Sequence, residues 1–233
     1  MENKVSKKIG VARFPGTNCD RDIYLFAKEL GHEPFYLWHQ DSFVCADYEM
    51  IIIPGGFSYG DYLRTGAMAA KSKIMQSVRQ FAEAGRPVLG ICNGFQILCE
   101  AGLLPGALVK NQTTSTSFTQ TTNVSSNFID KWVQLEKVNT CKYFASTEGP
   151  SSHNHIRLPI AHGEGRFYAP TENIKKIEDQ GLVWWRYVKN PNGSINDIAG
   201  VKNQQGNVAG LMPHPERAIF DWMGSTDGRG FLC

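Results

Sequence analysis

The sequence predicts an α/β fold with a mostly parallel central sheet, helices on both faces and a small antiparallel extension. Three observations predict it. Short apolar runs such as MIII (50–53) and PVLGI (87–91) lack polar alternation, as strands covered on both faces require. These runs alternate with segments of helical apolar spacing, the pattern of parallel βαβ units. Three glycine-rich loops, FPGTN, PGGFSYGD and GICNG, follow strands directly, at the carboxyl ends where α/β sheets gather their sites.

The elements follow in order. KIGVARF (8–14) is a buried strand feeding a turn cluster. A helix follows in DIYLFAKEL, with Ile23, Phe26, Ala27 and Leu30 on one face and Gly31 as its stop. FYLWH (35–39) and MIII are the next two strands. Residues 65–83 have helical spacing, with Ile74, Met75, Val78, Phe81 and Ala82 on one side, ended by Gly85, Arg86 and Pro87. PVLGI is a strand and FQILCEAGLL (95–104) a helix. The Ser/Thr-rich stretch 112–127 is an exposed loop or irregular hairpin. WVQLEKV, RLPIA, LVWWRYV, DIAGV and NVAGLM are strands of a largely antiparallel extension, and PHPERAIFDWMG begins a last short helix. The Lys and Glu residues along 173–178 form an ordinary solvated face. No internal repeat or linker appears, so residues 1–233 are expected to form one domain.

Composition narrows the function. A formal charge of +2 offers no field for nucleic acid or a membrane surface. No apolar run approaches the ~20 residues needed to cross a bilayer. The opening MENKVSKK has no apolar stretch behind it, so a cytoplasmic location is expected. Six cysteines are scattered with no C-x-x-C pair, which favours reduced thiols over a zinc ribbon or disulfide scaffold. His153 and His155 have H-x-H spacing without an accompanying cluster, and no metal site is expected.

The chemistry centres on Cys92. In GICNG, glycines stand two positions to either side of it, as a tight strand-to-helix turn demands of a nucleophile elbow. Such a turn sets the sulfur at a helix N-terminus, where negative charge is favoured, and leaves the Asn93 N–H facing an oxyanion. His214 and Glu216, in MPHPE at the end of a strand, can serve as base and orienter from one extended segment. Gly55 and Gly56 expose backbone in PGGFSYGD and can complete an oxyanion hole with Asn93. No G-x-x-x-x-G-K-[ST] phosphate loop occurs anywhere. HGEGRF (162–167), after a strand, is placed to wall a pocket.

Cys92 in GICNGFQ, PGGFSYGD before it and HPE near the end, in that order, resemble the class I glutamine amidotransferases, the Cys-His-Glu glutaminases. FPGTNCDRD, GGFSYGDYLRTGAMA, LPIAHGEGRFY and GLMPHPERA are similar to the branch whose members serve purine biosynthesis, over about residues 9–224. The resemblance implies a flavodoxin-like fold with Cys92 as nucleophile, His214 as acid/base and Glu216 as its partner. It implies Gly56 and Asn93 as oxyanion donors and a substrate pocket lined by Gly55, Phe57, Gln96, His162, Gly163, Glu164 and Gly165. It also implies a large synthetase subunit, a small bridging subunit, glutamine as substrate, and no cofactor in this chain, with ATP and Mg on the synthetase. The stretch 112–127 is longer than the family pattern, and Asp130 stands where many relatives carry cysteine; both are expected to bear only on a local loop and on partner contacts. A cysteine-elbow peptidase or aldehyde-processing relative, which would generally lack HPE, and a non-catalytic glutamine sensor or scaffold are the alternatives.

Overall fold

The structure is a computed structural model that describes residues 6–117, 120–125, 128–144 and 155–232. Its first half is β1 (Lys8–Arg13), α1 (Asp20–Glu29), β2 (Glu33–Trp38), β3 (Met50–Ile53), α2 (Ile74–Glu83), β4 (Val88–Ile91) and α3 (Asn93–Glu100). The second half is β5 (Ala107–Val109), β6 (Gln112–Ser117), β7 (Gln120–Ser125), β8 (Ile129–Lys137), β9 (His155–His162), β10 (Arg166–Tyr168), α4 (Thr171–Asp179), β11 (Val183–Tyr187), β12 (Ile198–Lys202) and β13 (Val208–Leu211).

Nine strands form one sheet in the order β2-β1-β3-β4-β13-β12-β11-β8-β9. The five strands from β2 to β13 are parallel, and the pairings from β13 to β9 are antiparallel. β3, β4 and β13 are buried along their whole length, which accounts for their unbroken apolar runs. Each fully buried Ile or Leu there contributes about 1.5–3 kcal/mol from water exclusion.

NVAGLM departs from the expectation for the extension. As β13 it pairs parallel with β4 through Gly210↔Gly90 and antiparallel with β12, so it is the seam between the two halves. The antiparallel half curls back over the site. The His214 N–H, just past β13, donates to the Pro159 carbonyl of edge strand β9 at 2.9 Å, although three strands lie between β9 and β13 within the sheet. Four successive antiparallel steps leave β9 running in the same direction as β13, so its end at His162 reaches the same edge as the ends of β3 and β4.

Other differences are local. The helix expected over 65–83 is divided. A single 3-10 turn spans Ala69–Lys71, and Ser72, extended at ψ 159° with its hydroxyl on the Ala69 carbonyl, separates it from α2. α3 starts at Asn93, two residues earlier than expected, and ends at Glu100. The last short helix is replaced by 3-10 turns at Pro215–Arg217 and Asp221–Met223, because Ala218 (φ −141°, ψ 56°) leaves the helical region and Phe220 (φ −126°) is extended. The charged stretch 173–178 lies in α4, whose Ile174 and Ile177, three apart, are buried. Within 112–127, β6 and β7 form a hairpin in regular register from Gln112↔Ser125 to Ser117↔Gln120. Of the H-x-H pair, His155 begins β9, whereas His153 lies outside the described residues.

Candidate active site

Cys92 sits between β4 and α3 with φ 53° and ψ −108°, a left-handed backbone that a residue with a side chain adopts only under constraint. Its two glycines explain how the turn closes. A Cβ on Gly94 would lie 1.9 Å from the Ile53 carbonyl oxygen, and one on Gly90 would lie 2.7 Å from the Gly94 carbonyl. Neither position has room for a methyl group. Cys92 is buried, and its thiol lies 3.7 Å from the Ala161 carbonyl on β9.

His214 and Glu216 are buried together, with Nδ1 2.6 Å from Oε1. Burial disfavours a charged His214 ring, but the Glu216 carboxylate and the Cys92 sulfur outweigh it and raise the histidine pKa. Gly55 lies beneath the pair. A Cβ there would meet His214 Cε1 at 2.9 Å, Cys19 Sγ at 3.2 Å and Cys92 Cβ at 3.3 Å, so the imidazole and the cysteine face each other across the space that glycine leaves free.

A cavity of about 350 Å³ opens over these residues. Gly56, Phe57, Gln96, His162, Gly163 and Glu164 line it with Cys92 and His214. Gly55 and Gly165 stand behind the lining: Gly55 under the His214 ring, and Gly165 against the His162 ring, where a Cβ would come within 2.3 Å. The Phe57 N–H is spent on the Gly16 carbonyl at 3.1 Å, while Gly56 lines the cavity at φ 139°. Asn93 opens α3, so its N–H has no carbonyl partner within the helix.

Hydrogen bonds join the loops. The Ser58 N–H donates to Asn93 Oδ1 at 3.2 Å, Asn93 Nδ2 donates to Gln96 Oε1 at 2.9 Å, and Gln96 Nε2 donates to the Glu164 carbonyl at 2.5 Å. The Gln96 amide therefore bonds inside the protein at both ends. The Thr65 hydroxyl donates to the Glu164 carboxylate at 2.5 Å. Asn111 completes the frame, donating to the His162 carbonyl and accepting from the Gly165 N–H.

Buried polar atoms without partners concentrate here: His214 Nε2, Glu216 Oε2, Asp61 Oδ1 and both ring nitrogens of His162. Unpaired buried polar atoms cost stability unless a ligand or chemistry uses them. Burial, helped by His214, lowers the His162 pKa to about 3, so the ring is neutral at working pH.

Sequence reasoning missed Cys19, Asp61 and Arg217, all of which line the cavity. Each lay inside a quoted motif, Cys19 in FPGTNCDRD, Asp61 in PGGFSYGD and Arg217 in GLMPHPERA, but nothing in those stretches showed which side chains turn inward. Asp130 and Phe128 line the cavity too, so position 130, expected to affect only a local loop and partner contacts, faces the site itself. Burial and the nearby Glu164 raise the Asp61 pKa from 3.8 to about 6.

Comparison with known proteins sharpens this chemistry. The profile of the CobB/CobQ-like glutamine amidotransferase domain matches residues 6–229. A protein of Nostoc sp. (strain PCC 7120), named phosphoribosylformylglycinamidine synthase subunit PurQ, is 51% identical over 95% of this chain and 93% of its own length. The solved structure of PurLQS from Thermotoga maritima contains a chain that superposes with a TM-score of 0.80 at 44% identity, covering 97% of this chain and 95% of that one. A second T. maritima glutamine amidotransferase, at 20% identity and TM-score 0.57, shares the fold, covering 92% of this chain and 78% of its own.

Proposed function

The chain belongs to the CobB/CobQ-like glutamine amidotransferase family, and on that premise we infer that it is the glutaminase subunit of phosphoribosylformylglycinamidine synthase, working in a complex with a synthetase partner. The observation that carries the mechanism is the placing of an elbow cysteine and a buried His–Glu pair around one cavity.

The sulfur of Cys92, its proton passed to His214, attacks the side-chain amide carbon of glutamine, forming the C–S bond. Negative charge moves to the carbonyl oxygen, which the Asn93 and Gly56 N–H groups receive; one such donor is worth roughly 3 kcal/mol of barrier. His214 gives its proton to the leaving nitrogen, the C–N bond breaks, and ammonia and a glutamyl thioester result. Water then attacks the thioester, losing a proton to His214, and glutamate leaves as the sulfur is regenerated. Glu216 holds the imidazole through Nδ1 during both proton transfers. The ammonia passes to the synthetase. ATP and Mg belong on that partner, a reading supported by the absence of a phosphate loop in this sequence, and a small bridging subunit completes the assembly. Acid quenching of the complex during turnover with labelled glutamine is expected to leave label on the peptide carrying Cys92. Label on no cysteine peptide would overturn the mechanism.

The cavity also suits the amino-acid head of the substrate. Asp61 and Glu164 offer negative charge to its ammonium group and Arg217 positive charge to its carboxylate. Binding through Asp61 requires its ionised form, so kcat/KM for glutamine should fall as pH drops below about 6. Stability runs the other way. A carboxyl harder to ionise in the folded chain than in the unfolded one weakens the fold when ionised: the penalty is absent below pH 3.8, grows up to about pH 6 and is constant above. Allowing for its partial exposure, the penalty is on the order of 1 kcal/mol. Asp61→Asn keeps a residue tolerant of the φ of 55° seen there. It should raise KM for glutamine about 10- to 100-fold, flatten the acid limb and raise Tm by roughly 2–4 °C. An unchanged KM would remove Asp61 from the binding site.

A further inference from the structure

One buried thiol beside the triad has no part in the mechanism above. Cys19 caps the start of α1 with its N–H on the Gly55 carbonyl, and its sulfur lies 3.1 Å from Arg217 Nη2. One donor atom each from Cys19, His214 and Glu216 lies within 4.8 Å of the other two, and all three residues are buried. The Cys92 side chain borders the same space, since Cys19 Sγ, His214 Cε1 and Cys92 Cβ all lie within 3.3 Å of the point where Gly55 would carry a Cβ. Two thiols, an imidazole and a carboxylate are the donor types that tetrahedral zinc selects. His214 Nε2 and Glu216 Oε2 are fully buried without partners, so two donor atoms are unspent. The Glu216 Oε1 contact on Nδ1 is the orientation that a carboxylate imposes on a metal-binding histidine. Zinc bonds of about 2.0–2.3 Å place tetrahedral donors roughly 3.5 Å apart, so shifts of about an ångström bring the Cys19, His214 and Glu216 atoms together, while the Cys92 sulfur, outside that 4.8 Å group, must move further to join them.

We propose that Cys19, Cys92 and His214, with Glu216 behind or beside the imidazole, form an inhibitory site for a thiophilic divalent cation of the Zn²⁺ type. Each ligating thiol, and the His214 ring where it is protonated, releases its proton to solvent and the ion takes that proton's place on sulfur and nitrogen, so no oxidant or reductant is needed. Occupancy ties up the nucleophile and the base together and stops glutamine cleavage while leaving the synthetase half intact. The inhibition, though not the site itself, rests on the glutaminase reading above.

Co²⁺ is the spectroscopic probe and Zn²⁺ the inhibitor. Wild-type protein should show a thiolate-to-cobalt charge-transfer band. Cys92→Ala should keep a weaker band supplied by Cys19, and the double variant Cys19→Ser/Cys92→Ala should lose it. No band in Cys92→Ala, or an equal one in the double variant, would overturn the site. In the assembled complex, Zn²⁺ should inhibit glutamine-dependent synthesis and spare ammonia-dependent synthesis. The half-inhibiting concentration should be at least about tenfold higher in Cys19→Ser, each protein measured against its own metal-free rate. Equal inhibition of the two proteins would exclude Cys19 as a ligand. Should Cys92→Ala retain glutaminase activity, the catalytic reading fails, while the cobalt spectra still decide the site.

Discussion

Cys92→Ala in the assembled complex should lower glutamine-dependent synthesis by at least about 10⁴-fold while leaving ammonia-dependent synthesis unchanged. The sulfur forms the bond that divides amide cleavage into two steps, and among the described residues no other side chain stands where it can replace that bond. Cys19 lies beside it, but burial, and next the Glu216 carboxylate, push its thiol pKa well up, so it presents a neutral thiol rather than a nucleophile. Alanine preserves the turn, because Gly90 and Gly94 set its geometry and the removed sulfur's contact with the backbone, at the Ala161 carbonyl, is long at 3.7 Å. The two rates, measured on one preparation, separate chemistry from assembly. A fall in ammonia-dependent synthesis as well would mean a damaged complex, and retention of the glutamine-dependent rate would remove Cys92 as nucleophile.

The second large effect is expected at Glu216. Glu216→Gln preserves shape but offers Nδ1 of His214 either an amide N–H or a neutral oxygen. With the N–H turned inward, Nδ1 must accept, the ring proton moves to Nε2, and the imidazole can no longer take a proton on the side of the sulfur. The equivalent change in a serine protease triad costs about 10⁴ in kcat, and a loss of about 10³–10⁴ is expected here. A pH signature accompanies it. The Glu216 carboxylate helps raise the His214 pKa against burial, so its loss should shift the histidine-dependent limb of the rate profile to lower pH. KM for glutamine should change little, since Glu216 is fully buried behind the ring. A purely structural role would instead lower Tm and leave the limb in place.

What the sequence reveals depends on how local the cause is. The runs at β3 and β4 are legible because burial on both faces removes every polar position. The elbow is legible because two glycines at fixed offsets answer a steric demand within five residues. HPE is legible as chemistry, but not as conformation: the helix expected after it never forms, because Ala218 leaves the helical region and Phe220 is extended. The break at Ser72 turns on one backbone angle that apolar spacing does not encode. The inward turn of Cys19, Asp61 and Asp130 was not legible at all. It follows from strands far apart in the chain, above all from β9 curling back to receive the His214 N–H.

The seam strand has a consequence for how the polypeptide is made. β4, with the nucleophile at its end, is translated long before β13, yet β13 is its neighbour in the finished sheet. At 5–20 residues per second a ribosome needs on the order of ten seconds to bridge that gap. Throughout this interval one margin of β4 is a bare row of amides and carbonyls, inviting capture by another nascent polypeptide. The same delay keeps the thiol inert, because the imidazole that serves it arrives on the strand that closes the margin: a half-made molecule cannot squander glutamine.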